Sequence, residues 1–302
     1  MSGNASGPWW LPHAKLVGVA LFWGSTLVAA RIVAQNIPNL TAASGRFVLA
    51  SAIFAVILLR HRPLQKLNAR QWIAVSMMGL FGVFLFNFFF FTALEKVPAS
   101  KAGLIVSLGP VLTALAVASI LKEPLGMQRW LGIFLALFGV NIVITRGDLS
   151  QFWSIWSSAF DSGEGFMFLC VFSWMVFTVI SRFALKGLSP LTATSYSALI
   201  GTGLLLLSSV GDIAHWRMDM LTATNVLAIS YIAIFGTVVA NFWYVQGVQA
   251  LGPTRTVVYT NLVPLFGVLL GYVVLSEPID LSMALGGTIV IAGVMLTNRS
   301  KA

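Results

Sequence analysis

The chain contains one pattern twice. Residues 82–110 read GVFLFNFFFFTALEKVPASKAGLIVSLGP, and residues 236–264 read GTVVANFWYVQGVQALGPTRTVVYTNLVP. A constant shift of 154, with no gap, pairs the anchors of the two copies. The pairs are Gly82 with Gly236, Asn87 with Asn241, Lys101 with Arg255, Pro110 with Pro264, and the Glu-Pro pairs that begin at Glu123 and Glu277. Hydrophobic composition alone does not align such anchors at one shift, so the sequence indicates an internal duplication.

Composition places the chain in a membrane. It is 58% hydrophobic and 9% charged, whereas about 25% of the residues of a soluble domain are charged. Apolar runs recur along the whole length, which predicts a polytopic protein with the lipid bilayer as a partner. The net charge of +9 then indicates basic loops on one side of the membrane rather than a nucleic-acid partner. The first residues lack the pattern of a cleavable signal peptide.

Ten membrane-spanning helices are predicted from the apolar runs. They lie near residues 15–34, 42–60, 71–94, 99–121, 129–145, 164–183, 191–209, 224–248, 254–275 and 281–297. We expect residues 1–148 to form a first five-helix repeat, 149–163 a linker, and 164–302 a second five-helix repeat. Because five is odd, the second copy enters from the other side, so the fold class is an all-α membrane protein with two inverted repeats.

The distribution of basic residues predicts the orientation. The side that holds both termini carries twelve Lys and Arg residues, and the other side carries six, with Arg31 and Arg46 counted there as lying near helix ends. Basic residues favour the cytoplasmic side. We therefore expect a multi-pass protein of the cell inner (plasma) membrane with both termini in the cytoplasm.

Several motifs resemble those of a known family. Trp23-Gly24-Ser25 in the first helix, a proline in helices four and nine, and the Glu-Pro ends followed by a glycine-rich last helix resemble the drug/metabolite transporter superfamily, and within it the ten-helix EamA-type carriers. The resemblance covers nearly the whole chain. It implies a central cavity walled by helices 1, 3, 4, 6, 8 and 9, access that alternates between the two sides, and a relation to bacterial exporters of amino acids, aromatic ones among them.

Polar residues within the apolar spans are the first candidates for substrate binding. Asn87 and Asn241 lie near the middle of helices 3 and 8, where a carboxamide needs a partner inside the protein. They either contact the solute or form a structural hydrogen bond between helices. The aromatic runs that follow include Tyr244, and only one or two rings of each run can face a cavity.

The two prolines point to a second set of candidates. Pro110 and Pro264 each remove an amide donor and free the carbonyl four residues earlier, next to Ser107 and Asn261. Such a site could bind an ammonium or hydroxyl group, or the proline could simply shape the helix.

Deep aromatic residues and terminal cations complete the candidate site. Trp23 and Trp174 correspond at a shift of 151, and Tyr259 precedes the second proline; these rings either line an amphipathic pocket or pack in the core. Lys101 and Arg255 open helices 4 and 9 and could guard the two mouths, or extend to lipid headgroups. Glu123 and Glu277 are interpreted as structural, satisfying nearby backbone donors or pairing with basic neighbours.

The residue types that the predicted spans lack reduce the number of possible functions. All nine acidic residues fall in loops or at helix ends, which predicts facilitated or weakly coupled transport rather than obligate proton coupling. The three histidines form no paired motif, so a membrane enzyme is the weaker hypothesis, and we expect no metal or other cofactor. The sequence thus predicts a secondary transporter that exports small amphipathic metabolites, with neutral or aromatic amino acids favoured and a drug or other metabolite carrier as the alternative. Its oligomeric state is left open.

Overall fold

The described part of the chain contains ten long helices, some of them interrupted, and two short connecting α-helices. The computed structural model describes residues 10–60, 66–121, 126–148, 150, 152–184, 188–215, 217–251 and 259–298. Within these residues the helices are α1 (Trp10–Ala34), α2 (Asn39–Arg60), α3 (Ala69–Lys96), α4 (Ala99–Val106 and Gly109–Leu121), α5 (Met127–Ile144), α6 (Glu164–Ala184), α7 (Pro190–Ser209), α8 (Ala223–Tyr231, Ile232–Val239 and Ala240–Leu251), α9 (Tyr259–Leu262 and Val263–Leu275) and α10 (Leu281–Asn298). The first eight are long and apolar enough to cross a membrane, and the last two are shorter apolar helices. The predicted all-α fold with ten helices is confirmed.

Short local signals set where these helices begin. Asn68 caps α3 in a reciprocal capping box with Gln71, and Ser189 caps α7 by accepting a hydrogen bond from the Thr192 amide at 3.1 Å. Most side chains within the helices are apolar, and the helical backbone satisfies its own hydrogen bonds, as a bilayer requires. Two short helices, Phe152–Ser157 and Ala159–Ser162, connect α5 to α6.

Small residues let the two halves of the chain pack closely. α5 runs antiparallel to α10 with glycine facing glycine: a Cβ added at Gly132 would lie 2.7 Å from the Gly293 carbonyl oxygen, and one at Gly139 would lie 2.7 Å from that of Gly286. These contacts bring the two backbones together without side chains between them. The last helices of the two repeats therefore form one tightly packed pair.

A pseudo-twofold axis relates the two halves. The hydroxyls of Ser51 in α2 and Thr202 in α7, which are 151 residues apart, hydrogen-bond each other at 2.7 Å. The other packing pairs are reciprocal: α1 packs on α8 as α6 packs on α3, and α2 packs on α8 as α7 packs on α3. We call the face where α1 begins and α10 ends the terminal face, and the other the opposite face.

Each repeat carries a π-helical segment at the equivalent place. Gly79–Leu85 lies in the middle of α3 and Ile232–Val239 in the middle of α8. A Cβ at Gly82 would lie 2.3 Å from the Phe177 ring of α6, and one at Gly236 would lie 2.2 Å from the Thr26 hydroxyl of α1. The wider helical turn and the absent side chain thus seat α6 on α3 and α1 on α8.

Candidate functional site

The fourth and ninth helices are both interrupted immediately before their prolines. α4 stops after Val106 and resumes at Gly109, so Pro110 lies in the first turn of the new segment. In α9 the 3-10 segment Tyr259–Leu262 precedes a helix whose first turn contains Pro264. Proline is tolerated there because a first-turn amide has no acceptor within the helix. Each proline therefore starts a helix instead of bending one.

The polar side chains beside these interruptions differ. The Ser107 hydroxyl donates to the Leu104 carbonyl oxygen at 2.6 Å, so it is bonded within its own helical turn. Asn261 is 8% exposed, and its Oδ1 has no hydrogen-bond donor among the residues that the structure describes. A buried amide oxygen without a donor is costly. Of the two, Asn261 therefore has the acceptor capacity for a bound solute.

Asn87 and Asn241 have one role in common. Each amide group donates to the carbonyl oxygen four residues earlier, in the preceding π-helical segment: Asn87 to Val83 at 2.6 Å, and Asn241 to Thr237. Asn87 is 0% exposed and also accepts a hydrogen bond from Arg46, whereas Asn241 is half-buried. Asn87 is therefore part of a helix–helix contact, and only Asn241 has a partly accessible amide.

The aromatic candidates pack in separate pairs. The Trp23 ring of α1 lies 5.4 Å from the Tyr244 ring of α8, and the Trp174 ring of α6 lies 5.3 Å from the Phe86 ring of α3. The Tyr259 hydroxyl shares a hydrogen bond of 2.5 Å with Nδ1 of His13 at the start of α1. The structure thus joins Trp23 with Tyr244 and Tyr259 with α1, and it places Trp174 on the other repeat.

Of the two basic residues predicted to guard the mouths, Lys101 and Arg255, the structure describes only Lys101. Lys101 forms a salt bridge with Glu164 at the start of α6, and the two side chains are 15% and 7% exposed. Its ammonium is therefore paired within the protein rather than extended to lipid headgroups. The equivalent residue Arg255 lies outside the described residues.

Glu277 has the structural role that the sequence predicted. Its carboxylate accepts hydrogen bonds from the amides of Ala99 at 2.8 Å and Ser100 at 2.9 Å, and from the Ser100 hydroxyl at 2.6 Å. It satisfies donors at the first turn of α4, where a negative charge also complements the helix dipole. The prediction is confirmed for Glu277, while Glu123 lies outside the described residues.

Arg46 is the residue that sequence reasoning missed. It was counted near a helix end, but it is the eighth residue of α2 and is only 7% exposed. Its guanidinium donates from Nη1 to Asn87 Oδ1 at 3.0 Å and from Nε to Thr237 Oγ1 at 3.1 Å, and both acceptors are uncharged. The available signal was an arginine inside a predicted span, which is rare without a function.

Two further features lie apart from these residues. A groove of about 200 Å³ opens at the opposite face, lined by Asn36, Arg217, Asp219, Met220, Thr222 and Asn225. In the part of the chain that the structure describes, no three His, Cys, Asp or Glu side chains come together as a set of metal ligands. The candidate site is therefore built from aromatic rings, amides and hydroxyls, which suit a solute that is held reversibly.

Comparison with known proteins shows relatives along nearly the whole chain. The "Uncharacterized transporter YyaM" of Bacillus subtilis (strain 168) is 29% identical over 284 residues, covering 94% of this chain and 92% of that protein. A WAT1-related chloroplastic protein of Arabidopsis thaliana is 26% identical, covering 95% of this chain and 69% of its own length. A crystal structure with 21% identity matches with a TM-score of 0.62, covering 94% of this chain and 96% of the other, and shows the same fold.

The duplication is also recognised by a family comparison. The pattern of the EamA-like transporter family matches this chain twice, over residues 11–145 and 161–299. Each match spans five of the ten helices described above. The two matched stretches, together with the reciprocal helix packing, leave one assignment: the chain is a member of the EamA-like transporter family.

Proposed function

We propose that this transporter is a secondary-type carrier that exports small amphipathic metabolites, with neutral and aromatic amino acids as its substrates, by alternating access. The observation that carries the proposal is the buried Oδ1 of Asn261, which lacks a donor beside the interruption in α9. A solute ammonium or hydroxyl group would supply that donor. The amide and the aromatic rings thus divide the recognition of an amphipathic solute between them.

Aromatic rings between α1 and α8 suit the apolar part of such a solute. Trp23 and Tyr244 pack against each other between α1 and α8, and α1 also contacts the 3-10 segment of α9. Ring faces bind apolar and aromatic groups, and they also attract cations. A drug-like aromatic cation is therefore the second candidate substrate, since it would use the same rings but not the amide acceptor.

The proposed orientation in the membrane follows from the charge distribution. When Arg46, which lies inside α2, is left out of the count, basic residues on the side of both termini outnumber those on the other side by twelve to five. This bias favours a cytoplasmic terminal face in an inner (plasma) membrane. Glu164, the acidic residue that is buried at a helix end, is paired with Lys101. We therefore propose facilitated or weakly proton-coupled export.

The substrate is tested by transport in proteoliposomes. A panel of labelled neutral and aromatic amino acids and one aromatic cation dye is assayed with and without an imposed pH gradient. We expect amino-acid flux that does not require the gradient. Flux of the dye without flux of any amino acid would replace the amino-acid proposal by the drug-carrier one, and strictly gradient-driven flux would overturn weak coupling.

The site is tested by Asn261→Leu and Asn241→Leu. Loss of one hydrogen bond to the solute should raise the KM for amino acids about tenfold, with a near-normal yield of folded protein. The matched control is Asn141→Leu in α5, whose amide also donates to a carbonyl four residues earlier, at 2.9 Å. An equal rise of the KM in all three variants, or a lower yield of folded protein with an unchanged KM, would show that these amides are structural.

A further inference from the structure

Arg46 lies where two groups of helices meet. α1 and α2 both pack on α8: Thr26 lies on Gly236, and a Cβ at Gly45 would lie 3.5 Å from Ile229. α6 and α7 both pack on α3: Phe177 lies on Gly82, and a Cβ at Gly201 would lie 2.3 Å from Val83. We call α1, α2 and α8 the α8 unit, and α3, α6 and α7 the α3 unit.

The arginine joins these two units. Its Nε donates to Thr237 in the π-helical segment of α8, within its own unit, and its Nη1 donates to Asn87 of α3, in the other unit. Both acceptors are fixed by further bonds, since the Thr237 hydroxyl donates to the Ile232 carbonyl oxygen at 3.0 Å and the Asn87 amide to that of Val83. The guanidinium thus links the two units in the half of the bundle near the opposite face.

The equivalent link in the other half is not made. At the shifts of 151 and 154, Arg46 corresponds to Ser197 of α7, and Asn87 corresponds to Asn241 of α8. The Ser197 hydroxyl donates to the Thr194 carbonyl oxygen at 3.0 Å, and the Asn241 amide donates to Thr237. Both side chains are therefore bonded within their own helices, and serine is too short to replace a guanidinium.

The packing around α1 on the side of Arg46 is also closer than the packing at the equivalent place on α6. Leu27 of α1 is 3% exposed and fits between α4 and α9, about as close to Gly103 as to Gly267. Its equivalent in α6, Thr178, is half-buried, and its hydroxyl donates to the Trp174 carbonyl oxygen. The bundle is closed around α1 near the opposite face and looser around α6 near the terminal face.

We propose that Arg46 is a buried latch that holds the two units together while the opposite face is closed, and that releases Asn87 when this face opens. Only one repeat carries the latch, so it favours the state that is open toward the terminal face. Arg46 is thus a positioning residue that sets the balance between the two states and does not touch the solute. The inference rests on the alternating access of the proposed function.

The test measures opening directly, without a substrate. In a Cys170→Ala background, which removes the one cysteine of the chain, Leu27→Cys reports access from the opposite face to a membrane-impermeant maleimide in spheroplasts. Adding Arg46→Gln should raise the labelling rate about tenfold, and Arg46→Lys should raise it less because one donor can still reach one acceptor. Arg70→Gln, an exposed arginine at the start of α3, is the matched control.

The outcomes separate the latch from other roles. Unchanged labelling in folded Arg46→Gln would overturn the latch. If that variant does not fold, Asn87→Leu decides, because it removes the bond from Arg46 that joins the two units and should also raise labelling. Unchanged labelling of the folded Asn87→Leu protein would also overturn the proposal. Faster labelling in a protein that moves no amino acid would support the latch and contradict the proposed substrate.

Discussion

The half of α1 near the opposite face and the equivalent half of α6 occupy the same position in the two repeats but lie in different surroundings. Leu27, Val28 and Ala30 of α1 are buried against neighbouring helices. Their equivalents at the shift of 151, Thr178, Val179 and Ser181, are half-buried. A symmetric sequence pattern has therefore folded into an asymmetric arrangement, which is what the proposed alternating access would need in a state with one face closed.

The two halves are also held by different bonds. At the opposite face, Glu277 joins α9 to the start of α4, Lys101 joins α4 to the start of α6, and Arg31 of α1 donates to the Leu94 carbonyl oxygen of α3. At the terminal face, the described bonds include those of His13 with Tyr259 and of Lys15 with Gln246 at 2.7 Å. Charged groups therefore form several of the described bonds at the opposite face, so that face should be sensitive to their mutation. Glu123 and Arg255, which correspond to Glu277 and Lys101 at the terminal face, lie outside the described residues.

The largest effect is expected at the salt bridge of the closed face. Lys101→Met leaves the carboxylate of Glu164 buried and unpaired, and should lower the free energy of unfolding by about 3 kcal/mol. The double variant with Glu164→Leu should recover most of this loss because no charge is left buried. Thermal unfolding of the purified protein in detergent measures both. If the double variant is no more stable than Lys101→Met, the loss of stability does not come from the unpaired charge of Glu164 alone.

The next effect is expected where α1 approaches α9. A Cβ at Gly24 would lie 2.6 Å from Phe266 Cβ and 2.9 Å from the Val263 carbonyl oxygen, whereas the equivalent residue of α6 is Met175. Gly24→Leu should therefore cost about 2 kcal/mol of stability through overpacking and should separate α1 from α9. Gly203→Leu is the control, because a Cβ there would have nothing within 4 Å. Equal melting temperatures of the two variants would contradict the close packing.

A smaller effect is expected from the cap of α4. Glu277→Ala removes the acceptor of the Ala99 and Ser100 amides and should cost about 1–2 kcal/mol, because water can reach part of this helix end. It should also speed labelling of Leu27→Cys from the opposite face. Glu95→Ala, which removes one exposed bond from Asn39 at the same face, is the matched control. A Glu277→Ala protein as stable and as slowly labelled as this control would exclude a closing role.

The smallest effect is expected at the start of α10. The Ser282 hydroxyl and the Met283 amide donate to Asp280 and hold the pKa of its carboxyl below the usual value, whereas the equivalent Gly126 of α5 has no side chain to cap its helix. A lowered pKa in the folded state means that the stabilisation is present at neutral pH and is lost as the pH falls through that pKa. Asp280→Asn should remove this pH dependence from thermal unfolding between about pH 7 and pH 3. An identical pH profile of the two proteins would contradict this.

Much of the fold was predictable from the sequence. The repeated Asn, Pro and Glu-Pro anchors indicated a duplication, and long apolar runs predicted ten helices that agree with the structure to within a few residues where both are described. The role of Glu277 also followed from its place beside a helix end. These features depend on local composition and on spacing along the chain, both of which the sequence displays directly.

The candidate site was less predictable. Asn87 and Asn241 are equivalent in sequence, yet only Asn87 accepts a bond from Arg46 and is fully buried. The sequence also gave no indication that Lys101 would meet Glu164, 63 residues away. Such contacts depend on how whole helices pack, and neighbouring residues along the chain do not record that.

The sequence by itself determined the class of the protein, its ten helices and the inverted relation of its halves, because hydrophobicity and helix number follow from composition and spacing. The tertiary structure decided which face is closed and which polar groups are left without partners. Two states of a carrier share one sequence and one set of helices, and they differ only in contacts between distant helices such as those of Leu27 and Arg46. Those contacts depend on how the helices pack in three dimensions, and the small sequence differences between the two repeats together determine that packing.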